Sequence, residues 1–159
     1  MLSLGSWASA NIIGSGIGWA TTDNQQNKYF HQMNVFWNAI NLGLAIPGYI
    51  KTNRSKTDLS LFKTLDEQRK IEATHLINAG LDLAYISSGL LLRNKTPKNQ
   101  EEKNQFMGYG NSILIQGGFL LIYDWIAYAM HRRHVKKNLN PLLQKIEVSS
   151  SGIGLRFNL

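Results

Sequence analysis

Residues 30–50 read FHQMNVFWNAINLGLAIPGYI, a run of membrane length in which Asp, Glu, Lys and Arg do not occur. Its polar side chains His31, Asn34, Asn38 and Asn41 follow one another at spacings of three, four and three residues. Since an α-helix turns by about 100° per residue, these side chains share one narrow face and leave the other faces apolar. The run therefore predicts a membrane-spanning helix whose polar face points towards neighbouring helices.

A second run repeats this spacing further along the chain. Residues 71–92 place His75, Asn78, Asp82 and Tyr85 at the same intervals, so the pattern HxxNxxx(N/D)xx(N/Y) occurs twice. Such a repeat makes an internal duplication conceivable. The second run is accordingly predicted to form another membrane helix with an inward polar face.

Two further apolar runs complete a set of four predicted helices. Residues 109–130 are the most apolar and carry Gln116 and Asp124, whereas residues 2–20 are uncharged and carry Asn11. Four spans with short connections use nearly all of the 159 residues. The predicted fold is all-α, an up-down four-helix transmembrane bundle that forms a single membrane domain over the whole chain.

Small residues and a proline are expected to shape these helices. Ser6, Ala10, Gly14 and Gly18 recur at every fourth position of the first run, which predicts a ridge along which helices approach closely in lipid. A cleaved signal peptide is the rival interpretation of this run, but it requires a basic start that the run lacks. Pro47 is predicted to end or kink the second helix near its exit.

Basic residues lie between the apolar runs and not within them. Most of the 17 Lys and Arg fall in residues 51–70 and after residue 131, and fewer fall in residues 21–29 and 93–108. The net charge of +7 thus follows the positive-inside pattern of membrane proteins and not the basic face of a nucleic-acid-binding protein. We expect a multi-pass membrane protein with both termini in the cytoplasm.

The connection after the second helix and the tail after residue 131 carry their own patterns. In the connection, Leu59, Leu61, Phe62 and Leu65 among charged residues predict an amphipathic piece that lies on the membrane surface. In the tail, apolar residues alternate with polar or small ones on both sides of residues 149–152, which predicts a short β-hairpin. A lone hairpin is marginally stable, so it is expected to pack on the bundle, on a partner or on a second copy.

The inward polar residues form a track of candidate ligand-binding or proton-binding groups through the predicted bundle. A rise of about 1.5 Å per residue in alternating directions assigns them depths. The layer near the midplane contains Asn11, Asn38, Asn41 and Asp82. The layer towards the side of the termini contains His75, Asn78 and Asp124, and the layer towards the other side contains Asn34, Tyr85 and Gln116. His31 lies on the same face of the second helix as its asparagines. A carboxylate at the bilayer centre costs at least about 2.5 kcal/mol, so Asp82 must be paired, hydrated or protonated.

Three interpretations of this track stay open. The polar residues hydrogen-bond across helices and fix the packing register, at about 0.6 kcal/mol per contact. Alternatively, Asp82 and Asp124 are proton carriers, since asparagine would serve packing without burying a potential charge. The third interpretation is a metal site: Glu72 and His75 form an ExxH pair of the kind used in di-iron bundles, although a second such pair is missing.

Several kinds of chemistry have little support in the sequence. Cys is absent, which excludes a disulfide framework, a thiolate metal site and a cysteine nucleophile. The glycines of GSGIG at residues 14–18 lack the following Lys-Ser/Thr of a phosphate loop. Neither GxSxG nor an ordered Ser-His-Asp set occurs, so an enzyme is not favoured and no cofactor is indicated.

Three blocks within residues 30–124 resemble those of a known family. They read FHQMNVFWNAINL, NAGLDLAYISSGLLLR and GYGNSILIQGGFLLIYD, and WASANIIGSGIGWA extends the likeness to most of the chain. They are similar to the signature blocks of an uncharacterised family of small bacterial membrane proteins, described as a domain of unknown function. The resemblance implies a four-helix protein of a bacterial membrane, expected to be the inner membrane, and it implies no activity, substrate or cofactor.

The favoured function is that of a non-catalytic integral membrane protein, an accessory subunit or binding module whose polar interior is structural or holds a small ligand. Its expected partners are the lipid bilayer and a second copy or another membrane protein, without nucleic acid. The alternatives are a proton- or ion-coupled transporter or channel that uses Asp82 and Asp124, and a membrane-embedded metalloenzyme. A fully soluble four-helix protein also stays open, because every run contains polar residues.

Overall fold

The computed structural model describes residues 2–54, 60–139, 146–149 and 152–155. Most of these residues form four helices, which are α1 (Leu2–Thr21), α2 (Gln25–Arg54), α3 (Leu61–Arg93) and α4 (Gln100–His134). A π-helical turn, Val135–Leu139, continues from α4. In the tail, two short strands, β1 (Ile146–Ser149) and β2 (Gly152–Leu155), pair in antiparallel fashion with Ile146 opposite Leu155.

Asparagine side chains cap the starts of α2 and α4. The Oδ1 atom of Asn24 accepts a hydrogen bond from the Asn27 N–H at 3.0 Å. The Oδ1 atom of Asn99 accepts one from the Glu102 N–H at 2.8 Å, and the Glu102 carboxylate accepts one in return from the Lys98 N–H at 2.8 Å. Because the first N–H groups of a helix have no partner inside it, these bonds fix where both helices begin.

All four predicted helices are present, and α2, α3 and α4 extend beyond their predicted ends. Of the two predicted effects of Pro47, the end of α2 is wrong, because α2 continues to Arg54. Proline removes a single backbone hydrogen bond, and the bonds on either side of it hold the helix together.

The predicted surface piece around Phe62 and Leu65 is instead the first part of α3, whereas Leu59 lies outside the described residues. Charged residues stabilise this helical start, since Lys70 Nζ lies 2.7 Å from the Asp66 carboxylate one turn earlier. The hydrogen bond to Asp66, with a second one to Glu67, raises the pKa of Lys70 above its ordinary value.

Contacts divide the chain into two compact units, each built from two segments. The first unit comprises Met1–Thr57 and Gly80–Leu121, and the second comprises Asp58–Ala79 and Ile122–Leu159. Helices α3 and α4 therefore each contribute one part to each unit.

In the first unit, α1 and α2 pack in opposite directions. A methyl group built on Gly5 would lie 4.0 Å from the Ala45 Cβ, whereas one built on Gly18 would overlap the ring of His31. The start of α1 therefore lies beside the later part of α2, and the end of α1 beside its beginning. The His31 ring occupies the space that a side chain at position 18 would fill.

Of the predicted ridge of small residues, Gly18 contacts α2, whereas the other three members lie outside the contact face of α1. Ala10 and Gly14 are exposed, and nothing lies within 4 Å of a methyl group built on Gly14. The buried small residues of α1 are Ala8 and Ser15 instead. They stand seven residues apart, two helical turns, on the face that the polar residues share.

Glycines of α3 and α4 lie where these helices approach their neighbours in the first unit. A methyl group on Gly108 would lie 2.5 Å from the Gln26 carbonyl oxygen and 2.7 Å from the Tyr29 Cβ. One on Gly89 of α3 would lie 3.0 Å from the Gly110 carbonyl oxygen of α4. Both distances are shorter than ordinary contacts, so α4 touches α2 and α3 through backbone.

Burial among the described side chains is inverted relative to a soluble protein. The buried apolar residues are alanines only: Ala8, Ala45 and Ala79. The buried polar residues are Ser15, Asn34, Asn38, Asn41, Asp82, Ser112, Gln116 and Asp124. Large apolar side chains that soluble proteins bury lie outside, with Leu44 67% and Leu91 73% exposed.

By length and composition, one helical stretch of the described chain, Gln100–Lys137, is apolar enough to cross a membrane. The sequence-based expectation of four spans is therefore supported by hydropathy for α4 alone. The physical reason is visible in α2, where Asn34, Asn38 and Asn41 lower the mean hydropathy of the helix.

Candidate functional site

The polar interior of the first unit is organised around Gln116 of α4, which is fully buried. Its Nε2 atom donates hydrogen bonds to Asn34 Oδ1 at 2.8 Å and to Asn11 Oδ1 at 3.3 Å. Its Oε1 atom accepts a hydrogen bond from the Trp7 indole N–H at 2.9 Å. One amide thus links α1, α2 and α4, and both of its polar atoms are occupied.

The groups around Gln116 hold one another in place. Ser112 Oγ donates to Asn34 Oδ1 at 2.7 Å, so this oxygen accepts from two α4 side chains one turn apart. The Trp7 ring stacks on Phe119 with centroids 3.8 Å apart and planes 5° from parallel. The aromatic contact fixes the indole that donates to Gln116, and the Ser112 hydroxyl fixes the Asn34 oxygen that accepts from Gln116. Both hydrogen-bond partners are therefore held in place.

The polar face of α2 continues beyond this network with atoms that have no hydrogen-bond partner in the described part of the chain. These buried atoms are Asn38 Oδ1, Asn41 Nδ2, Trp37 Nε1 and His31 Nδ1. Asn38 uses its Nδ2 atom on the Asn34 carbonyl oxygen at 2.8 Å, which leaves the acceptor Oδ1 available. An acceptor and a donor one turn apart suit a small polar molecule such as water.

The second unit contains a separate cluster of ionisable side chains. His75 Nδ1 of α3 lies 2.5 Å from Asp124 Oδ1 of α4, and the two side chains are 17% and 6% exposed. The ring of His131 stacks against His75 with centroids 5.9 Å apart. His131 Nδ1 in turn forms a hydrogen bond with Gln68 Oε1 at 3.0 Å. The Asp124 carboxylate thus orients the His75 imidazole.

A metal centre finds no support in the described residues. They contain no group of three or more His, Asp or Glu side chains placed to hold a metal ion. The predicted candidates do not assemble as ligands, since Glu72 is half-buried on α3 and His75 is engaged with Asp124.

The other predicted site residues fall into several settings. Asn11, Asn34 and Gln116 meet in one network, and Asn38 and Asn41 share the buried face of α2. Asp82 is buried on α3 within the first unit, and Asp124 belongs to the second unit. Tyr85 meets Trp37 edge-on at 4.8 Å, Asn78 is half-buried, and His31 lies against Gly18.

Four residues of these two clusters are not among the candidates named from the sequence. Trp7 stands one turn before Asn11, and Ser112 one turn before Gln116, so the spacing of four carries a signal for both. His131 lies in the basic stretch HRRHVKK, yet it is half-buried and stacks on His75. Gln68 had no signal, because it lies in the charged start of α3.

Comparison with protein families gives one match. A family model described as "Family of unknown function (DUF6992)" covers residues 3–125 of the chain. That range includes the Gln116 network and both members of the His75–Asp124 pair, and it ends before His131. Neither the curated proteins nor the solved structures contain a match.

Proposed function

Because the chain belongs to the family of unknown function DUF6992, we propose a function from its own geometry: it is an integral membrane protein of four helices that acts as a non-catalytic accessory subunit or binding module. The inverted burial carries this proposal. In water, the exposed apolar surface would drive aggregation, and a core of alanines and amides would lack hydrophobic driving force. In a bilayer, lipid chains cover that surface.

The outer faces explain how helices of modest hydropathy cross lipid. In α2, Phe36, Ile40 and Leu44 are exposed, whereas Asn38 and Asn41 are buried. Mean hydropathy counts both faces of a helix, but lipid meets the exposed face only. The asparagines of α2 therefore do not count against a membrane location.

The distribution of charge supports the same proposal. Four segments of membrane length, residues 2–22, 29–50, 73–92 and 104–130, contain no Lys, Arg or Glu. The two Asp residues within them, Asp82 and Asp124, are both buried. Each segment has at least 20 residues and would extend about 30 Å as a helix, the thickness of the bilayer hydrocarbon. The proposed lipid-facing surface is thus free of charge.

The Gln116 network favours a packing role over a reaction. Both polar atoms of Gln116 are used by three neighbours, so the amide offers nothing to a substrate. Hydrogen bonds of this kind fix which faces of membrane helices meet. A rigid unit with an apolar exterior is suited to bind lipid and a second copy or another membrane protein.

The orientation in the membrane follows from the exposed basic residues. Lys63, Arg69 and Lys70 on α3 and Arg132 and Arg133 on α4 are all exposed within the second unit. We place these ends, and the connection between α2 and α3, in the cytoplasm of a bacterial cell at its inner membrane. Reporter fusions after Arg54 and within residues 94–99 should report opposite sides of the membrane. Equal reporter activity at both sites would contradict this orientation.

Replacing Ile40 by lysine separates the membrane proposal from a soluble fold. Ile40 is 49% exposed near the middle of α2, where a charge facing lipid costs about 3 kcal/mol. We expect Ile40→Lys to lower the amount of full-length chain in the membrane fraction severalfold, measured after carbonate washing and detergent extraction. The control, Gln25→Lys at the exposed start of α2, should behave as the wild type. Wild-type chain that stays in the aqueous phase, or a gain of soluble chain with Ile40→Lys, would overturn the proposal.

The buried pair of His75 and Asp124 favours a second candidate function, proton transfer. Imidazole and carboxylate can exchange a proton without leaving an isolated charge in lipid, and His131 stacks beside them as a further acceptor. In liposomes with an imposed pH gradient, the wild type should then carry proton flux that Asp124→Asn abolishes. Asp82→Asn tests the other buried carboxylate, and Asp66→Asn, at an exposed site, serves as the control. Equal flux at background level in all four proteins would eliminate this candidate.

A further inference from the structure

An open groove of about 400 Å³ lies in the first unit, and its lining residues are not members of the Gln116 network. Its walls come from the first turns of α2 and the last residue of α3, and its floor comes from α4. The backbone contacts at Gly108 and between Gly89 and Gly110 fix the three helices here. The groove is therefore held open by rigid elements.

One end of the groove is polar and carries a positive charge. Gln26, Asn27 and Asn111 bring side-chain amides to it, and Arg93 brings a guanidinium. Within the described part of the chain, no hydrogen bond or ion pair engages the Arg93 side chain. A guanidinium with its donors available is the group that binds phosphate with two parallel hydrogen bonds.

The position of Arg93 depends on a glycine beneath it. A methyl group built on Gly110 would overlap the Arg93 Cγ, so the aliphatic part of the arginine lies directly on the α4 backbone. This contact directs the side chain across α4 towards the groove, of which Arg93 is a lining residue. The aliphatic part of Arg93 is thus held by packing, although the residue as a whole is exposed.

The groove becomes apolar along the direction in which α2 and α4 run. Phe30 follows Asn27 by one turn on α2, and Leu114 and Ile115 follow Asn111 by one turn on α4. These two helices run in the same direction, since Gly108 lies beside Tyr29 and Ser112 binds Asn34. The polar groups of α2 and α3 therefore lie at helix ends, Asn111 lies beside them within α4, and apolar groups follow one turn further along α2 and α4.

We infer that this groove binds an anionic phospholipid, with the lipid phosphate on Arg93 and an acyl chain along Phe30 and Leu114. The charged end of the groove matches a lipid headgroup, and its apolar end matches an acyl chain. A soluble anion would use only the charged end, and an apolar peptide would use only the apolar end. The inference rests on the proposed membrane location, because a lipid reaches the groove only from a bilayer.

The surrounding charges favour an anionic over a zwitterionic lipid. Lys28 lies in the first turn of α2, and Lys95 and Lys98 lie on the connection between α3 and α4. Residues 21–29 and 93–108 together carry five Lys or Arg and three Asp or Glu. The local field is therefore positive, which attracts a headgroup with net negative charge.

The test measures binding of phosphatidylglycerol to delipidated full-length chain in a neutral detergent. Phosphatidylcholine and inorganic phosphate are the comparison ligands. We expect tighter binding of phosphatidylglycerol than of either, and about tenfold weaker binding after Arg93→Gln, which removes a charged hydrogen-bond donor. Lys98→Gln, which removes a charge outside the groove lining, should change the affinity less than threefold. Circular dichroism checks that both variants keep the helical content of the wild type.

Three results would overturn the inference: equal affinity of the wild type and Arg93→Gln, equal affinity for the two phospholipids, or inorganic phosphate binding as tightly as phosphatidylglycerol. The last result would assign a site for soluble anions. If the chain needs detergent to stay in solution but gives one of these three results, the lipid site is refuted and the membrane proposal stands. If the chain stays in solution without detergent, the membrane proposal is refuted as well.

Discussion

Replacing Gly108 by alanine should lower the free energy of unfolding by about 3 kcal/mol. The added methyl group would lie 2.5 Å from the Gln26 carbonyl oxygen and 2.9 Å from the Phe30 backbone nitrogen. Both atoms belong to the backbone of α2, so no side-chain rotation can relieve the overlap and α2 must move away from α4. Unfolding of the purified chain by sodium dodecyl sulfate in mixed micelles, followed by circular dichroism, measures the loss.

The matched control is Gly118→Ala, ten residues further along α4. Nothing lies within 4 Å of a methyl group at Gly118, so the change adds only helix propensity, worth about 1 kcal/mol. We expect Gly118→Ala to be neutral or stabilising. Equal effects of the two substitutions would show that α2 and α4 do not touch at Gly108.

Replacing Gln116 by methionine should destabilise the chain by about 2–4 kcal/mol with little change in side-chain volume. The substitution removes three hydrogen bonds and leaves the Trp7 indole N–H and the Asn11 oxygen without their α4 partner. Asn34 Oδ1 keeps the hydrogen bond from Ser112, which limits the loss. The same unfolding measurement applies.

Ile115→Met provides the control for this substitution on the adjacent, 49% exposed position of α4. It should change stability by less than about 0.5 kcal/mol, because no buried group depends on Ile115. The double variant Gln116→Met with Ser112→Ala should lose more than Gln116→Met alone, because the last α4 donor to Asn34 is then gone. A stability of Gln116→Met equal to the wild type would contradict the proposed packing role of the network.

The sequence predicts the helices and the buried face of α2 well. Asn34, Asn38 and Asn41 are all buried, as the spacing of four and three indicated, because the helical period fixes which side chains share a face. The predicted neighbourhood of Asn34 and Gln116, and that of His75 and Asp124, also appear as hydrogen bonds. The members of each pair were predicted to lie at the same depth, whereas Asn11, which was predicted at the midplane, bonds Gln116 of a different predicted layer.

Contacts that depend on which helix faces lie together were not predictable. Gly14 belongs to a regular small-residue pattern and is exposed, whereas Gly108 and Gly110 belong to no such pattern and are buried. A pattern within one helix shows which residues are small, but the partner backbone decides which of them must be small. The pairing of Gln68 with His131 likewise depends on where α3 begins, ten residues earlier than predicted.

The Gln116 network can form only late in synthesis, because its partners are far apart in the sequence. Asn34 precedes its partner Gln116 by 82 residues, which a ribosome adding about 5–20 residues per second needs about 4–16 s to make. During this interval α2 has emerged with its amides but without the helix that binds them. If the chain is inserted into a membrane as proposed, the insertion machinery or α1 must cover α2 until α4 follows. Nascent chains that stop before α4 would then expose unpaired asparagines to lipid, and we expect quality-control proteases to degrade them.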